Sequence, residues 1–318
     1  MPKVAVVKNI HQSAIKLLEN NSQFEFEVIE DFSKENLIKK LPSFDAITLK
    51  TTKLDSEIIN NCKKLKIISR HGVGLDNVDI SSVKVNNITL TITTKANAIA
   101  VSEHVMFMIL NISKGVDMYD KTVRKGEFSN RSKLDKSFEL WNKKILIIGF
   151  GRVGKNLINK CQAFGMKIYV YDPFVDQKVI ENFKAIKIDN LNEFLKETDY
   201  VSIHAPLNKE TRNLININNL KTMKKSSIII NTSRGGIINE KDLNDALNKG
   251  LIYGAGLDVF EKEPPDENNP LLKNKKIFFS PHSATFTNEC MERMGIEAVE
   301  NIFDFFSNKL EKSKIVQL

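Results

Sequence analysis

The chain reads as an α/β protein of two doubly wound parallel-sheet domains, and three features of the sequence predict this. Short apolar runs alternate with helical stretches from Lys3 to Ile92. A second alternating series opens at Lys143 and runs to Ser280. That second series begins with a glycine-rich turn between an apolar run and a helical one. Alternation of this kind gives a parallel sheet with helices on both faces.

Taken in order, strands are expected at Lys3–Val7, Phe24–Ile29, Asp45–Leu49, Lys66–Ser69 and Ile88–Ile92. Helices are expected between them at Ser13–Glu19, Lys34–Lys40 and Ser56–Cys62. After the fourth strand comes Arg70-His-Gly-Val-Gly-Leu-Asp-Asn-Val-Asp79, a glycine loop whose N–H groups could hold a carboxylate or simply form a left-handed turn. A helix over Ala98–Lys114 is apolar nearly all round, which places it between domains or in a subunit contact. Asp117 to Asn142 is polar and reads as an irregular surface excursion as far as Trp141. Further strands are expected at Ala185–Ile188, Tyr200–His204, Ser227–Asn231, Tyr253–Asp258 and Ile277–Ser280, with helices at Leu191–Glu197, Ile217–Met223 and Glu240–Lys249. A closing helix from about Asn288 to Asn308 is placed to return to the first domain.

The second series opens on Lys143-Lys-Ile-Leu-Ile-Ile-Gly-Phe-Gly-Arg-Val-Gly154. Gly149, Gly151 and Gly154 fit the G-x-G-x-x-G pattern that follows a strand and opens a helix. Such a turn brings backbone N–H groups and the positive end of the helix to a pyrophosphate. The helix is expected to run from Arg152 to Phe164 and stop at Gly165, and a strand over Met166–Tyr171 ends at Asp172. An acid at that distance meets the adenosine ribose hydroxyls. No Arg or Lys follows Asp172 directly, so the predicted cofactor is NAD rather than NADP.

The chain has 318 residues, 42% hydrophobic and 27% charged, enough for two domains. Its net charge of +8 is spread along the whole length, mostly as Lys, with no long basic run. That pattern suggests a solvated surface suited to anionic small molecules and argues against a nucleic-acid interface. The N-terminus leads straight into an expected strand, without a signal peptide, and the apolar segment Ile99–Ile112 is too short to span a bilayer. Cys62, Cys161 and Cys290 are widely separated, and no cysteine or histidine has metal-type spacing. A reduced cytoplasmic protein without a metal site is expected.

Ligands of open α/β sheets sit beyond the carboxyl ends of the strands. Asp258 and His204 end expected strands, and Arg234, Glu263 and His282 follow them closely. Arg, Glu and His together suit 2-oxo acid chemistry. Guanidinium grips a carboxylate through two parallel hydrogen bonds. Imidazolium gives a proton to a carbonyl oxygen as its carbon is reduced, and a paired carboxylate favours that charged form. Each residue alone could be structural. His104, inside the apolar helix, reads as a satisfied histidine, and His11 has no partner cluster. Lys50, Lys53, Arg70 and His71 could make the first domain's ligand side cationic, fit for a phosphate or second carboxylate, or could be solvated surface.

These stretches resemble the D-isomer-specific 2-hydroxyacid dehydrogenase family, in its phosphoglycerate dehydrogenase-like and hydroxypyruvate reductase-like branches. The matching segments are His71-Gly-Val-Gly-Leu-Asp-Asn-Val-Asp79, Val101-Ser-Glu-His104, Ile148-Gly-Phe-Gly-Arg-Val-Gly154, Val201-Ser-Ile-His-Ala-Pro-Leu207, Asn231-Thr-Ser-Arg-Gly235, Asp258-Val-Phe-Glu-Lys-Glu-Pro264 and Ser280-Pro-His282.

The resemblance implies a Rossmann NAD-binding domain over residues 98–285, inserted in a flavodoxin-like substrate-binding domain made of 1–97 and 286–318. It implies Arg234, Glu263 and His282 as the catalytic set. It implies cofactor contacts from Gly149, Gly151, Arg152, Val153, Gly154, Asp172, His204, Pro206, Thr232 and Asp258, the last on the nicotinamide amide. Substrate contacts are implied from Val73 and Gly74 through their N–H groups and from Arg234, and Lys50 and His71 are the candidates added by the reading of the first domain's cations. A homodimer through Ile99–Asn142 is also implied.

The expected activity is NAD-dependent hydride transfer at C2 of a small D-2-hydroxy acid or 2-oxo acid, such as 3-phosphoglycerate, glycerate or hydroxypyruvate. The rival reading is an NAD(H)-sensing, corepressor-like regulator of the same fold. A formate dehydrogenase-like reading is weaker, because that branch carries Gln where this chain has Glu263. Ser283-Ala-Thr-Phe-Thr287 stands where many relatives carry glycines, and the chain read to Leu318 leaves no room for a C-terminal regulatory domain.

Overall fold

The computed structural model describes residues Met1–Leu318. The chain divides into two compact units, Met1–Asn97 with Thr285–Leu318, and Ala98–Ala284.

The first unit runs β1 (Lys3–Val7), α1 (Gln12–Glu19), β2 (Glu25–Ile29), α2 (Lys34–Lys40), β3 (Ala46–Leu49), α3 (Ser56–Asn61), β4 (Ile67–Arg70), α4 (Ile80–Val85) and β5 (Thr89–Thr91). The strands are parallel in the order β2-β1-β3-β4-β5, the flavodoxin-like order. Both faces of this sheet are covered, so its central strands β3 and β4 are buried throughout rather than alternately. In β1, Val4 and Val6 face one core and Ala5 and Val7 the other. Asp55 and Asp79 start α3 and α4 by accepting the N–H groups of Ile58 and Ser82.

The second unit opens with α5 (Ala98–Lys114) and α6 (Val116–Arg124). It continues through β6 (Lys144–Ile148), α7 (Arg152–Ala163), β7 (Lys167–Tyr171), α8 (Gln177–Glu181), β8 (Ile186–Lys187), α9 (Leu191–Leu195), β9 (Tyr200–Ile203), α10 (Ile217–Leu220), β10 (Ile228–Asn231), α11 (Glu240–Asn248), β11 (Gly254–Leu257) and β12 (Ile277–Phe279). All seven strands are parallel, in the order β12-β11-β10-β9-β6-β7-β8. Strand order reverses at β6, the crevice where open sheets of this kind hold ligands. α5 lies on α7, β10 and β11, which explains its buried face, while Ile99 and Phe107 stay exposed on the other side.

The chain then returns to the first unit as α12 (Asn288–Phe306), started by Thr287 and lying on α1, β3 and β4. Here Gly295 allows close approach, since a Cβ would stand 3.1 Å from that of Ala14. No single helix is long and apolar enough to cross a membrane. The three cysteines are free and buried.

Two expectations need correction. The stretch after Lys114 is not irregular: α6 occupies its first part, and a 3-10 turn follows at Phe128–Lys133. Gly115, at φ +60°, turns the chain out of α5, and α6 is then supported by Asp117–Lys121 and Asp120–Arg124 pairs four residues apart. It buries no residue. The short helices α4 and α8 were also not anticipated. Their six and five residues span less than two turns and carry little periodicity.

Candidate active site

The turn after β6 is built for close approach. Gly149 has φ +96°, and its N–H bonds the Tyr171 carbonyl at 2.9 Å. A Cβ there would stand 2.8 Å from the His204 carbonyl carbon, and one on Gly154 would stand 2.4 Å from the Gly149 oxygen. These two glycines therefore lock the turn against the end of β9 and against α7. Gly151 differs: a Cβ there would meet no protein atom within 4 Å, although it heads α7 and has no side-chain cap. That open space at a helix N-terminus, where the Arg152 and Val153 N–H groups have no acceptor in the unit, suits a dinucleotide pyrophosphate.

Asp172 ends β7 and braces the same turn. One oxygen accepts the Phe150 N–H at 2.8 Å and the other the Phe174 N–H at 3.0 Å. Each oxygen keeps a further lone pair for a ribose hydroxyl. His204 bonds Ser202 through Nε2 at 2.8 Å, and burial pushes its pKa down to about 3, so it presents a neutral wall. Pro206 is exposed two residues on. Thr232, after β10, is 9% exposed and its hydroxyl has no protein partner, which leaves it available to a bound group. The turn, the acid and this orphaned hydroxyl all fit a nicotinamide dinucleotide.

Arg234 lies on the loop after β10, whose conformation is imposed by a buried Asn. The Asn231 amide donates to the Arg234 carbonyl at 2.8 Å and accepts from the Ser233 N–H and hydroxyl. Arg234 Nη1 donates to the Ser233 carbonyl at 2.7 Å. The bond from the Ser233 N–H to Asn231 makes an Asx turn, a local geometry that Asn favours.

The loops after β11 and β12 meet at Asp258, which is 1% exposed. Its carbonyl accepts the His282 N–H at 2.9 Å, and its carboxylate accepts the Ser283 N–H at 2.8 Å and the Ala284 N–H at 3.0 Å. The Ser280 hydroxyl donates to the same carboxylate. Three successive N–H groups thus converge on one residue, with His282 held at φ +50°, a conformation histidine adopts more readily than most side chains. Three donors to the carboxylate leave room for one more.

His282 Nδ1 lies 2.7 Å from Glu263 Oε2, and the other Glu263 oxygen accepts the Phe260 N–H at 3.0 Å. The hydrogen bond to Glu263 raises the His282 pKa above its ordinary value, burial opposes it, and the charges of Glu263 and Asp258 outweigh that of Arg234. For Glu263, burial works to raise the pKa. The hydrogen bonds from His282 and Phe260, with the charges of His282 and Arg234, bring the net result below the ordinary value. With Nδ1 bound to a carboxylate, Nε2 is the free proton-transfer atom. The structure therefore brings Arg234, Glu263 and His282 within electrostatic reach of one another.

In the first unit the glycine loop follows β4. The Gly72, Val73 and Gly74 N–H groups have no acceptor within the unit, and Val73 is 36% exposed. Arg70, 7% exposed, donates Nε to the Gly74 carbonyl at 2.8 Å and Nη1 to the Leu49 and Lys50 carbonyls. Its guanidinium thereby staples the loop from within. His71, 5% exposed, adds no charge either. Burial first, then the Lys50 and Arg70 charges, push its pKa down to about 4, and its Nε2 has no partner. Lys50 is the half-buried cation of this edge, its pKa lowered by burial and by Lys8.

A glycine turn at a sheet's switch point, with an Arg and a His–Glu pair at neighbouring strand ends, defines a dinucleotide-binding protein equipped for proton transfer. The family model described as "D-isomer specific 2-hydroxyacid dehydrogenase, NAD binding domain" matches residues 106–284. The chain is 34% identical over 316 residues to D-3-phosphoglycerate dehydrogenase of Methanocaldococcus jannaschii, covering 99% of this chain and 59% of that protein. It is 35% identical over 304 residues to hydroxypyruvate reductase of Thermotoga maritima, covering 95% and 97% respectively. The NAD-dependent formate dehydrogenase of Staphylococcus aureus, solved with NAD, superposes with a TM-score of 0.85 at 26% identity, covering 99% of each chain. The chain thus spans little more than half the length of the M. jannaschii phosphoglycerate dehydrogenase and nearly all of the hydroxypyruvate reductase. It belongs to the D-isomer-specific 2-hydroxyacid dehydrogenase family, and its second unit contains the family's NAD-binding domain.

Proposed function

We propose that this protein is an NAD-dependent dehydrogenase that interconverts a small D-2-hydroxy acid and its 2-oxo acid. The observation that carries the reading is the His282–Glu263 pair, 2.7 Å apart and within the field of Arg234. Bound NADH supplies the hydride that adds to C2. The chain's own groups do the rest. Arg234 clamps the carboxylate and polarises the carbonyl, His282 gives a proton from Nε2 to the carbonyl oxygen, and Glu263 stabilises the imidazolium beforehand. In the first unit, the Val73 and Gly74 N–H groups would bind a carboxylate of the substrate, with Lys50 and His71 as further contacts. A phosphorylated or hydroxymethyl 2-oxo acid, as in phosphohydroxypyruvate or hydroxypyruvate, fits the names of the relatives. Those names are of enzymes, which favours turnover over a purely sensory role.

The test is NADH oxidation across a panel of 2-oxo acids, with and without a phosphate. At least one should be turned over at a kcat/KM of about 10⁴ M⁻¹s⁻¹ or better. NADH binding without turnover of any member would favour the regulator.

For the cofactor, Gly149, Gly151, Gly154 and the Arg152 and Val153 N–H groups would hold the pyrophosphate. Asp172 would hold the adenosine ribose, and His204, Pro206, Thr232 and Asp258 the nicotinamide half. The Asp172 carboxylate would repel a 2′-phosphate. NADH should therefore be preferred over NADPH by about tenfold or more in kcat/KM, a discrimination of ~1.4 kcal/mol. Equal efficiency with the two cofactors would exclude Asp172 as the discriminator.

The second unit exposes Ile99 (44%), Phe107 (51%) and Trp141 (68%). A homodimer formed through Ile99–Asn142 would cover them. Light scattering that returned a monomer at micromolar concentration would remove that proposal. Three buried, unpaired cysteines suit the reducing cytoplasm.

A further inference from the structure

His104 lies on α5, far in sequence from the β12 loop, yet its Nε2 stands 2.8 Å from the Ser280 hydroxyl oxygen. The Ser280 hydroxyl in turn lies 2.5 Å from Asp258 Oδ1. A carboxylate can only accept, so the Ser280 proton points at Asp258 and the Ser280 oxygen is free to accept from His104. The directions are therefore settled: His104 Nε2–H donates to Ser280, and Ser280 O–H donates to Asp258. All three groups are shielded, with His104 17% exposed in its side chain, Ser280 8% and Asp258 1%. The His104 ring is also held from the side by Phe107, at 5.7 Å between centroids.

This chain ends on the residue that gathers the backbone of the catalytic loop. Asp258 binds the N–H groups of His282, Ser283 and Ala284, and those bonds impose the left-handed turn at His282. The turn aims the imidazole at Glu263. Hydrogen bonds in series polarise one another in a dry setting, so a donor at the far end strengthens the last bond.

We propose that His104 and Ser280 are positioning residues for His282: their directed hydrogen-bond chain fixes the Asp258 carboxylate, which holds the β12 loop in the turn that aims His282 at Glu263. The inference rests on the dehydrogenase reading for its effect on turnover, but the geometry it describes is a property of the cofactor-free protein. The charged groups facing His282 are Glu263, Asp258 and Arg234, and the one facing His104 is Asp258.

The first readout is NMR titration of the His282 imidazole, one of five in the chain, in the protein without cofactor or substrate. His104→Phe removes the donor and keeps an aromatic ring against Phe107. Ser280→Ala removes one hydroxyl. In both, the Glu263–His282 bond should loosen and His282 should titrate at lower pH than in the parent. His104→Gln, which retains a donor, should restore the parent value. The second readout is turnover of whichever 2-oxo acid the panel identifies. Both disruptive variants should lose about 10- to 100-fold in kcat, the cost of a misplacement of an ångström or less. KM for the 2-oxo acid should stay within about twofold, as expected when transition-state geometry rather than uniform binding is lost. Unchanged His282 titration in His104→Phe and Ser280→Ala would overturn the proposal. So would a shift in Ser280→Ala alone, because the chain must begin at His104. If no 2-oxo acid is turned over, the dehydrogenase reading fails while the titration still decides this one.

Discussion

His282→Ala should lower kcat/KM by about 10²- to 10⁴-fold in both directions, the usual worth of a positioned acid–base group, while NADH binding persists. The pH dependence separates the roles of the pair. His282 must be imidazolium to reduce a 2-oxo acid and neutral to oxidise the alcohol. Its pKa is raised, chiefly by the hydrogen bond to Glu263 at 2.7 Å. The reduction rate is therefore high below that raised pKa and falls as pH rises through it, whereas oxidation rises over the same range. Glu263→Gln keeps the shape and removes the charge. The reduction limb should move to lower pH, leaving a slower but active enzyme. The sign for stability runs the same way. The pairing stabilises the fold fully below the unfolded histidine pKa and ceases to do so as pH rises through the folded one. The measurement is kcat/KM against pH for both variants. A reduction limb that stays in place in Glu263→Gln would remove Glu263 as the tuning partner, and a fully active His282→Ala would move the proton to His204 or water.

Gly235→Ala is expected to damage both stability and turnover. A Cβ on Gly235 would lie 2.0 Å from the carbonyl carbon and oxygen of Phe260 and 2.3 Å from the Glu261 nitrogen. These are backbone atoms, so neither side can yield by rotating a side chain. The loop carrying Arg234 must separate from the loop carrying Glu263. Overpacking of this kind costs about 1–3 kcal/mol. Because the two loops carry two of the three proposed catalytic groups, kcat/KM should fall by about 100-fold or more. Thermal unfolding and steady-state kinetics on one preparation check both parts. A variant with parental Tm and parental kcat/KM would mean that the two loops are not packed as described.

Much of the architecture was legible because its signals are local. Strands buried on both faces appear as apolar runs, and β1, α2 and α5 lie within the bounds their sequence suggests. Very short helices escaped, as did one that lies outside the core. α6 buries nothing and is stabilised by charge pairs, and α8 has only five residues. Positions just past strand ends were likewise readable, since topology sends those residues to one rim whatever their side chains do afterwards.

What the sequence determined by itself is the set of short-range geometries: the glycine turn at Gly149–Gly154, the strand–helix alternation, and the residue types at the strand ends. What only the tertiary structure decided is how those residues are used. Arg70 reads in sequence as a ligand-side cation or solvated surface, and in the fold the Leu49, Lys50 and Gly74 carbonyls accept from its guanidinium. His71 is a potential cation in sequence and a neutral group in the fold, because burial beside Lys50 and Arg70 drives its proton off. Ser280 looks like an ordinary turn residue until the β12 loop comes together with Asp258 and His104. The physical reason is common to all three. Backbone conformation is set by near neighbours and can be read from them, whereas hydrogen-bond partners and desolvation come from segments such as α5 and β12, 176 residues apart at His104 and Ser280. Only the packed fold brings those segments together.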